Sequence, residues 1–401
     1  MNVEIIKFDN IGRGIGYLND KIIFVPKSVP GDIVNVKITL EKKNYLEGKI
    51  LEIIKPSKLR IKAICPYFNI CGGCDLMNIT LSESLDYKLN KVNEMLEKGK
   101  INYRVDEIIK SDSTYNYRNK VTLKVVDSKI GYYENETHNI VEINYCYLCN
   151  EIINDLIKNI KILDISNGEI VIRCNYNDEL LISIKTDDEI KNIKDVIDNY
   201  KIVGIIKNDV TIYGENYFID KINDYLFKVS YNSFFQINPF ICSKLFDFIE
   251  AETKKSINVL DLYCGVGTLG IVASKNSKSV LGIEIVNNAI IDANLNKMLN
   301  NKNNIEFICD DTRNVINKIT NTFDTIILDP PRNGVSKNVL NKIINEKIKK
   351  VIYVSCNPIT LIRDLKILEN EYEIIDFKLL DMFPNSEHVE SYVVLKNKKV
   401  L

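Results

Sequence analysis

The sequence predicts a multi-domain α+β protein with an N-terminal OB-like β-barrel, a central α+β domain and a C-terminal Rossmann-like, doubly wound α/β domain. Three observations carry this. Short apolar runs broken by turn residues fill residues 3–55; a cysteine-rich, mainly β stretch follows; from about Phe240 strands and helices alternate regularly. The expected boundaries are 1–58, 59–232 and 233–401.

At 401 residues, with 45% hydrophobic and 27% charged residues, the chain is ordinary globular protein with room for more than one core. It has no apolar run long enough to span a bilayer. Its N-terminus carries Glu4, Lys7 and Asp9 instead of a secretory h-region, so a cytoplasmic monomer with no membrane partner is expected. Net charge is −1. Between Glu41 and Lys62, however, seven Lys/Arg stand against three Glu, a local net of +4, which is either a solvated face or a contact for an acidic partner. Ten cysteines in such a chain argue for metal, catalytic or core roles over disulfides.

In the barrel the expected strands are 3–8, 14–18, 21–25, 33–40 and 46–54. Their turns are marked by Asn10-Ile-Gly12, Asn19-Asp20 and Pro30-Gly31. Leu81, Leu85, Leu89, Val92 and Leu96 predict a helix over 81–97. Strands are expected at 121–126, 129–133, 169–173, 180–185 and 201–207, with a helix over 187–199. In the last domain helices at 241–252, 268–273, 287–300 and 337–346 alternate with strands at 258–262, 279–283, 305–309, 325–328 and 350–354.

The strand at 258–262 runs into Tyr263-Cys-Gly265-Val-Gly267-Thr-Leu-Gly270, formally G-x-G-x-x-G, with Glu284 closing the next strand. That spacing also suits a dinucleotide oxidoreductase. Asp261 would be unwelcome beside a pyrophosphate, and neither Asp329-Pro-Pro-Arg332 nor Ser355-Cys-Asn-Pro358 belongs to a nicotinamide enzyme. S-adenosylmethionine suits the pattern better. Glu284 is placed for a bidentate grip on its ribose hydroxyls, and Asp310 or Asp311 for its adenine.

In open α/β sheets reacting groups lie beyond the carboxyl ends of the strands. Asp329 and Cys356 end two such strands. A thiolate there has a use: adding it to carbon 6 of uracil makes carbon 5 nucleophilic toward a sulfonium methyl. A base must then remove the carbon-5 proton, and the segment Phe383–Ser391 offers Glu387, His388 and Glu390. The residue types alone do not choose among the three.

These motifs resemble the RNA (uracil-5-)-methyltransferase family. The likeness rests on Asp261-Leu-Tyr-Cys-Gly-Val-Gly-Thr268, Leu328-Asp-Pro-Pro-Arg332, Val354-Ser-Cys-Asn-Pro through Asp364, and Phe383-Pro through His388-Val-Glu390. It implies Cys356 as nucleophile and Glu390 as base, with Gln236, Tyr263, Glu284, Asp311 and Asp329 contacting the cofactor. Ser386 departs from the usual Thr.

Cys65-x5-Cys71-Gly-Gly-Cys74, with Cys146 or Cys149, supplies four thiolates suited to zinc or a [4Fe–4S] cluster. Similarity to the TRAM-containing 23S rRNA members implies the [4Fe–4S] cluster, with Cys65, Cys71, Cys74 and Cys146 as ligands, and identifies the first domain with TRAM, an RNA-binding module. Arg118, Lys120 and Lys124 are further candidates for phosphates, and Phe234, Phe235 and Phe383 for stacking on a uracil. The target must be looped or flipped out to be reached. The expected substrate is therefore a 23S rRNA loop, with transfer RNA as the alternative. A non-catalytic RNA-binding protein and an amino-group methyltransferase are the remaining rivals.

Overall fold

A computed structural model describes residues 1–135, 137–316 and 323–399. The strands Asn2–Phe8, Gly14–Leu18, Lys21–Val25, Ile33–Glu41 and Tyr45–Lys55 close into a barrel, the fifth lying between the third and fourth. Alternation puts Val3, Ile5, Ile23, Val25, Val34, Val36 and Leu46 inside.

Next comes a seven-stranded sheet in the order Val210–Gly214, Ile202–Lys207, Leu180–Lys185, Gly168–Cys174, Lys120–Val126, Lys129–Tyr133, Ile140–Glu142. One face buries Leu123, Ile170, Ile172 and Ile182 under Ile153, Leu156 and Ile157 of the helix Glu151–Asn159. The other carries Leu181 and Ile206 into a core shared with Phe218 and Phe227 of the hairpin Tyr217–Ile222/Tyr225–Ser230 and Phe246 of the helix Pro239–Thr253. The helix expected over 187–199 is shorter, Ile193–Asn199. Before it, the Asp188 carboxylate accepts from the Ser166 and Asn167 amides and the Ser166 hydroxyl, and Asn192 is left-handed, so the backbone turns there instead of winding.

The third unit is an eight-stranded sheet in the order Ile305–Cys309, Ser279–Glu284, Asn258–Leu262, Thr325–Leu328, Lys350–Ser355, Glu390–Asn397, Tyr372–Leu380, Ile108–Ile109. The first five run parallel, as the alternating pattern predicts. Glu390–Asn397 then inserts antiparallel between Lys350–Ser355 and Tyr372–Leu380. Residues Val351–Ser355 are all buried, as strands covered on both faces must be.

The helix Leu81–Lys98, capped by the Thr80 hydroxyl accepting from the Glu83 amide, packs Val92, Met95 and Leu96 against Leu361 and Leu365. The catalytic sheet thus draws on residues 81–109 as well as on the C-terminal third. Among the described residues no helix is long and apolar enough to cross a membrane.

One contact of that helix is fully buried: Lys88 Nζ lies 2.6 Å from Asp381 Oδ1, both side chains at 0% exposure. Lys88 also donates to the Phe383 carbonyl at 3.0 Å. Breaking a buried pair leaves one uncompensated charge. Lys88→Met should therefore cost about 3–5 kcal/mol in urea unfolding, and adding Asp381→Leu should recover most of it.

Candidate active site

The site grows from strand register. Lys350–Ser355 pairs Ser355 with Ser391, so Cys356, just past its strand, comes level with Glu390, the first residue of the next. On the other side Leu328 pairs with Tyr353, which brings Asp329 to the same rim. Charge coupling agrees with this placement. The Cys356 thiol is pushed up to about 11 by burial, then by Glu390 and Asp329, with Arg332 pulling the other way. Glu390 is raised well above the usual carboxylate range by burial and by Asp329, and burial alone lifts Asp329 to about 7.

The turn that carries Cys356 is built to hold it. Asn357 caps the helix Pro358–Leu368, accepting from the Ile359 amide at 3.1 Å, with Pro358 pre-set for the first turn. The Asn357 amide nitrogen and the Thr360 hydroxyl both donate to the Arg332 carbonyl, at 2.9 and 3.2 Å. Buried Asp364 accepts from the Val335 amide and the Tyr353 hydroxyl, at 2.8 and 2.7 Å. The Asp329–Arg332 loop is thereby tied to the thiol's own helix.

The segment Phe383–Ser391 is sorted by its partners. Burial pushes Glu387 up, yet His388 and Lys91 outweigh it and hold the carboxylate down to about 2. His388 Nδ1 sits 2.9 Å from Glu387 Oε1. Two of the three candidate bases are thus bound to each other. Glu390 alone turns toward Cys356 and Asp329. The loop before it is clamped: the Asp75 and Leu76 amides donate to the Asn385 carbonyl at 3.0 and 3.1 Å, and the Tyr117 hydroxyl donates to that of Pro384 at 3.1 Å. Ser386 is buried, its hydroxyl donating to the Phe383 carbonyl.

On the cofactor side Tyr263, Gly265 and Gly267 all have positive φ between the strand Asn258–Leu262 and the helix Thr268–Ala273. At Gly267 a Cβ would come within 2.5 Å of Phe307, so only glycine lets the loop lie so close. Glu284 Oε2 accepts from the Gly265 amide at 3.1 Å, and Oε1 from the Ile285 and Val286 amides at 2.9 Å each. A carboxylate has about four acceptor positions. A bidentate grip on a ribose, as expected above, therefore requires Glu284 to release a backbone amide.

Asp311 caps the next helix and is forked by Arg313, while its charge helps burial push Tyr263 up to about 12. Tyr263 and Asp311 therefore lie near one another. Gln236 follows Phe234, 73% exposed, and Phe235, which is core rather than a stacking platform. Its segment is fixed by Asn119, which donates to the Gln236 carbonyl at 3.1 Å, and by Asn238, which donates to that of Met382 at 3.2 Å. Asp261 stands apart. It is fully buried, both carboxyl oxygens lack a partner, and a Cβ on Gly270 would meet Oδ2 at 2.9 Å.

Cys65, Cys71, Cys74 and Cys146 line one small cavity of about 40 Å³, together with Arg118, Tyr132 and aromatic residues. Burial raises the first three thiols; a hydrogen bond from Cys149 lowers Cys146 to about 6. Cys149 does not line the cavity; it lies directly behind Cys146 and Tyr132, in the central core. Asn154 knots the turn between them, accepting from the Cys146 amide and donating to the carbonyls of Cys146 and Cys149. Arg118 forms no ion pair among the described residues. Among those residues no three Cys, His, Asp or Glu converge on a single-ion site.

The rim of thiol and carboxyls on a parallel sheet, beside a glycine loop without a phosphate cradle, defines a group-transfer enzyme of methyltransferase architecture. The profile of the tRNA (uracil-5-)-methyltransferase family matches residues 80–398 and that of the TRAM domain residues 1–51, and the chain belongs to that family. It is an S-adenosylmethionine-dependent RNA (uracil-C5-)-methyltransferase. An uncharacterised RNA methyltransferase of Clostridium acetobutylicum is 34% identical over 98% of this chain and 96% of its own length. One of Halalkalibacterium halodurans is 33% identical over 99% and 97%. The crystal structure of Pyrococcus abyssi tRNA (uracil-54, C5)-methyltransferase with S-adenosyl-L-homocysteine superposes with a TM-score of 0.81 at 27% identity, covering 98% of this chain and 100% of that one.

Asp329 gives a pH test. Its folded value of about 7 lies above the roughly 3.9 of an unfolded chain, so unfolding releases this proton at lower pH. The contribution to stability is complete below about pH 4 and is lost as pH rises through about 7. Asp329→Asn should flatten that part of the stability–pH curve, measured as urea midpoints across this range.

Proposed function

We propose that the enzyme methylates carbon 5 of a specific uridine through a covalent adduct at Cys356, with Glu390 as the base and a 23S rRNA loop as the substrate. The observation that carries this is the shared rim: a thiol, a buried carboxyl and Asp329 meet where the sheet register forces them together.

S-adenosylmethionine supplies the methyl group. Gln236, Tyr263, Glu284, Asp311 and Asp329 bind and orient it, and unbonded Asp261 is suited to its ammonium. Cys356, its thiol proton given up to solvent, bonds through Sγ to carbon 6 of the uracil as the carbon 5–carbon 6 π electrons move onto carbon 5 and the adjoining carbonyl. After methylation, the Glu390 carboxylate takes the carbon-5 proton, the carbon 6–sulfur bond breaks and the thiolate leaves. Phe234, exposed and two residues before Gln236, is the aromatic offered for stacking on the flipped base or its neighbour. Cys356→Ala should abolish both adduct and product. Glu390→Gln should instead accumulate a methylated protein–RNA species that survives denaturing electrophoresis. Retained turnover in Cys356→Ala would overturn the mechanism.

A second reading, transfer RNA as substrate, is favoured by the P. abyssi structure, which matches this chain along nearly its full length. An architecture shared along nearly the whole chain therefore does not by itself specify ribosomal RNA. Methylation of purified 23S rRNA and tRNA lacking the mark, compared under one condition, decides between them.

Cys65, Cys71, Cys74 and Cys146 are the proposed ligands of a [4Fe–4S] cluster. The likeness to the ribosomal-RNA members and the four thiols lining one cavity support this reading, and Arg118, which has no ion pair among the described residues, would complement the cluster's negative charge. Anaerobically purified protein should contain iron and sulfide in equal amounts. Cys146→Ser should lose them and Cys149→Ser should keep them.

A further inference from the structure

Of the three middle-strand cations expected to meet phosphates, two are accounted for. Arg118 faces the cysteine cavity, and Lys124 is bonded to Glu169. Lys120 is different. In the antiparallel ladder it stands directly opposite Arg173, on the same face of the sheet. Directly opposed side chains have Cβ atoms about 5 Å apart, and like charges in that position destabilise a sheet.

Arg173 is only 4% exposed and its Nε has no partner. Its one hydrogen bond goes from Nη2 to the Ser233 carbonyl. Among the described residues neither cation has an ion pair. The nearest acid on that face, Glu169, is two rungs away and already bound to Lys124. Burial and the neighbouring Arg173 push Lys120 down to about 8. Two opposed, partly or fully desolvated cations, whose nearest acid acts only from a distance and is already paired with Lys124, are a costly arrangement unless an anion completes it.

The pair's location says which anion. Ser233, which holds Arg173, immediately precedes exposed Phe234 and the Gln236 segment. Asn119, next to Lys120, holds the Gln236 carbonyl. The cations therefore lie where the seven-stranded sheet meets the segment Ser233–Asn238, next in sequence to the exposed Phe234.

We propose that Lys120 and Arg173 form a phosphodiester subsite that grips the RNA backbone next to the target uridine while Phe234 engages a base. This rests on RNA being the substrate and adds a site to that reading.

The test is Lys120→Met in the full chain, which keeps the apolar stem and removes one charge. A fluorescent twelve-nucleotide oligouridylate is the probe, with S-adenosylhomocysteine binding as the check on folding. Affinity should fall about three- to tenfold, and the slope of log affinity against log salt should shrink by about 0.7, the value for one single-strand phosphate. Without RNA the melting temperature should hold or rise, because a like-charge repulsion has gone. Lys120→Arg should bind as the parent does.

Unchanged affinity and slope would overturn the proposal. So would a lowered melting temperature with weakened S-adenosylhomocysteine binding, which would make Lys120 a structural residue. Inorganic phosphate at constant ionic strength should compete with the probe no better than chloride. Strong competition that vanishes in Lys120→Met would assign the pair to a free phosphate instead. Adduct formation at Cys356 is read separately, so failure here leaves the methyl-transfer reading standing.

Discussion

The pairing of Lys350–Ser355 with its two neighbours is the constraint on which the site depends. A parallel partner on one side delivers Asp329 beside Val354, two residues short of Cys356, and an antiparallel partner on the other delivers Glu390 to the level of Cys356 itself. Strand geometry is strict because side chains alternate, so a slip of one residue would turn the whole set to the opposite face. The nearly continuous burial of these strands makes such a slip prohibitive.

Bringing acids and a thiol together in a poorly hydrated rim has an electrostatic consequence. Burial raises all three groups, and the charges compound it: Asp329 adds to the cost of ionising Glu390, and both add to that of Cys356. Arg332 offsets part of that cost at Cys356. The loop leading to Glu390 is meanwhile held by groups from outside the sheet: Lys88 and Lys91 from a helix, Asp75 and Leu76 next to the cysteine module, Tyr117 from the start of the middle region. Gly12 at the tip of the barrel approaches Asp75 and Glu387 so closely that a Cβ would touch both. The barrel, the cysteine module and the catalytic loop therefore share one contact region.

Much of this was legible in the chain. Turn residues and alternation marked all five barrel strands to within two residues, because a small barrel has one wet and one dry side. The parallel strands were equally clear, each ending at a residue with chemistry. The strands Tyr372–Leu380 and Glu390–Asn397 were not foreseen, since their burial comes from helices and neighbours remote in sequence. The helix Glu151–Asn159 was also missed; its cap is Asn150, in a stretch dominated by cysteines and tyrosines. Glu387, His388 and Glu390 could not be ranked from residue types. What separates them is Lys91, some three hundred positions earlier in the chain. Phe235 was expected at the surface and is core, because the following helix pulls it in.

The insertion of Glu390–Asn397 between two strands made before it bears on how the molecule reaches its native state. Until that segment is synthesised, Lys350–Ser355 and Tyr372–Leu380 each present an open edge, and the pairing they await closes over the intervening chain. Helix Leu81–Lys98 and strand Ile108–Ile109 must likewise wait for partners more than two hundred residues downstream. Such long-range closure implies slow, late consolidation of the catalytic unit, while the barrel, whose contacts are local, can fold early. A nascent chain would thus carry a finished RNA-binding module well before it carried an enzyme.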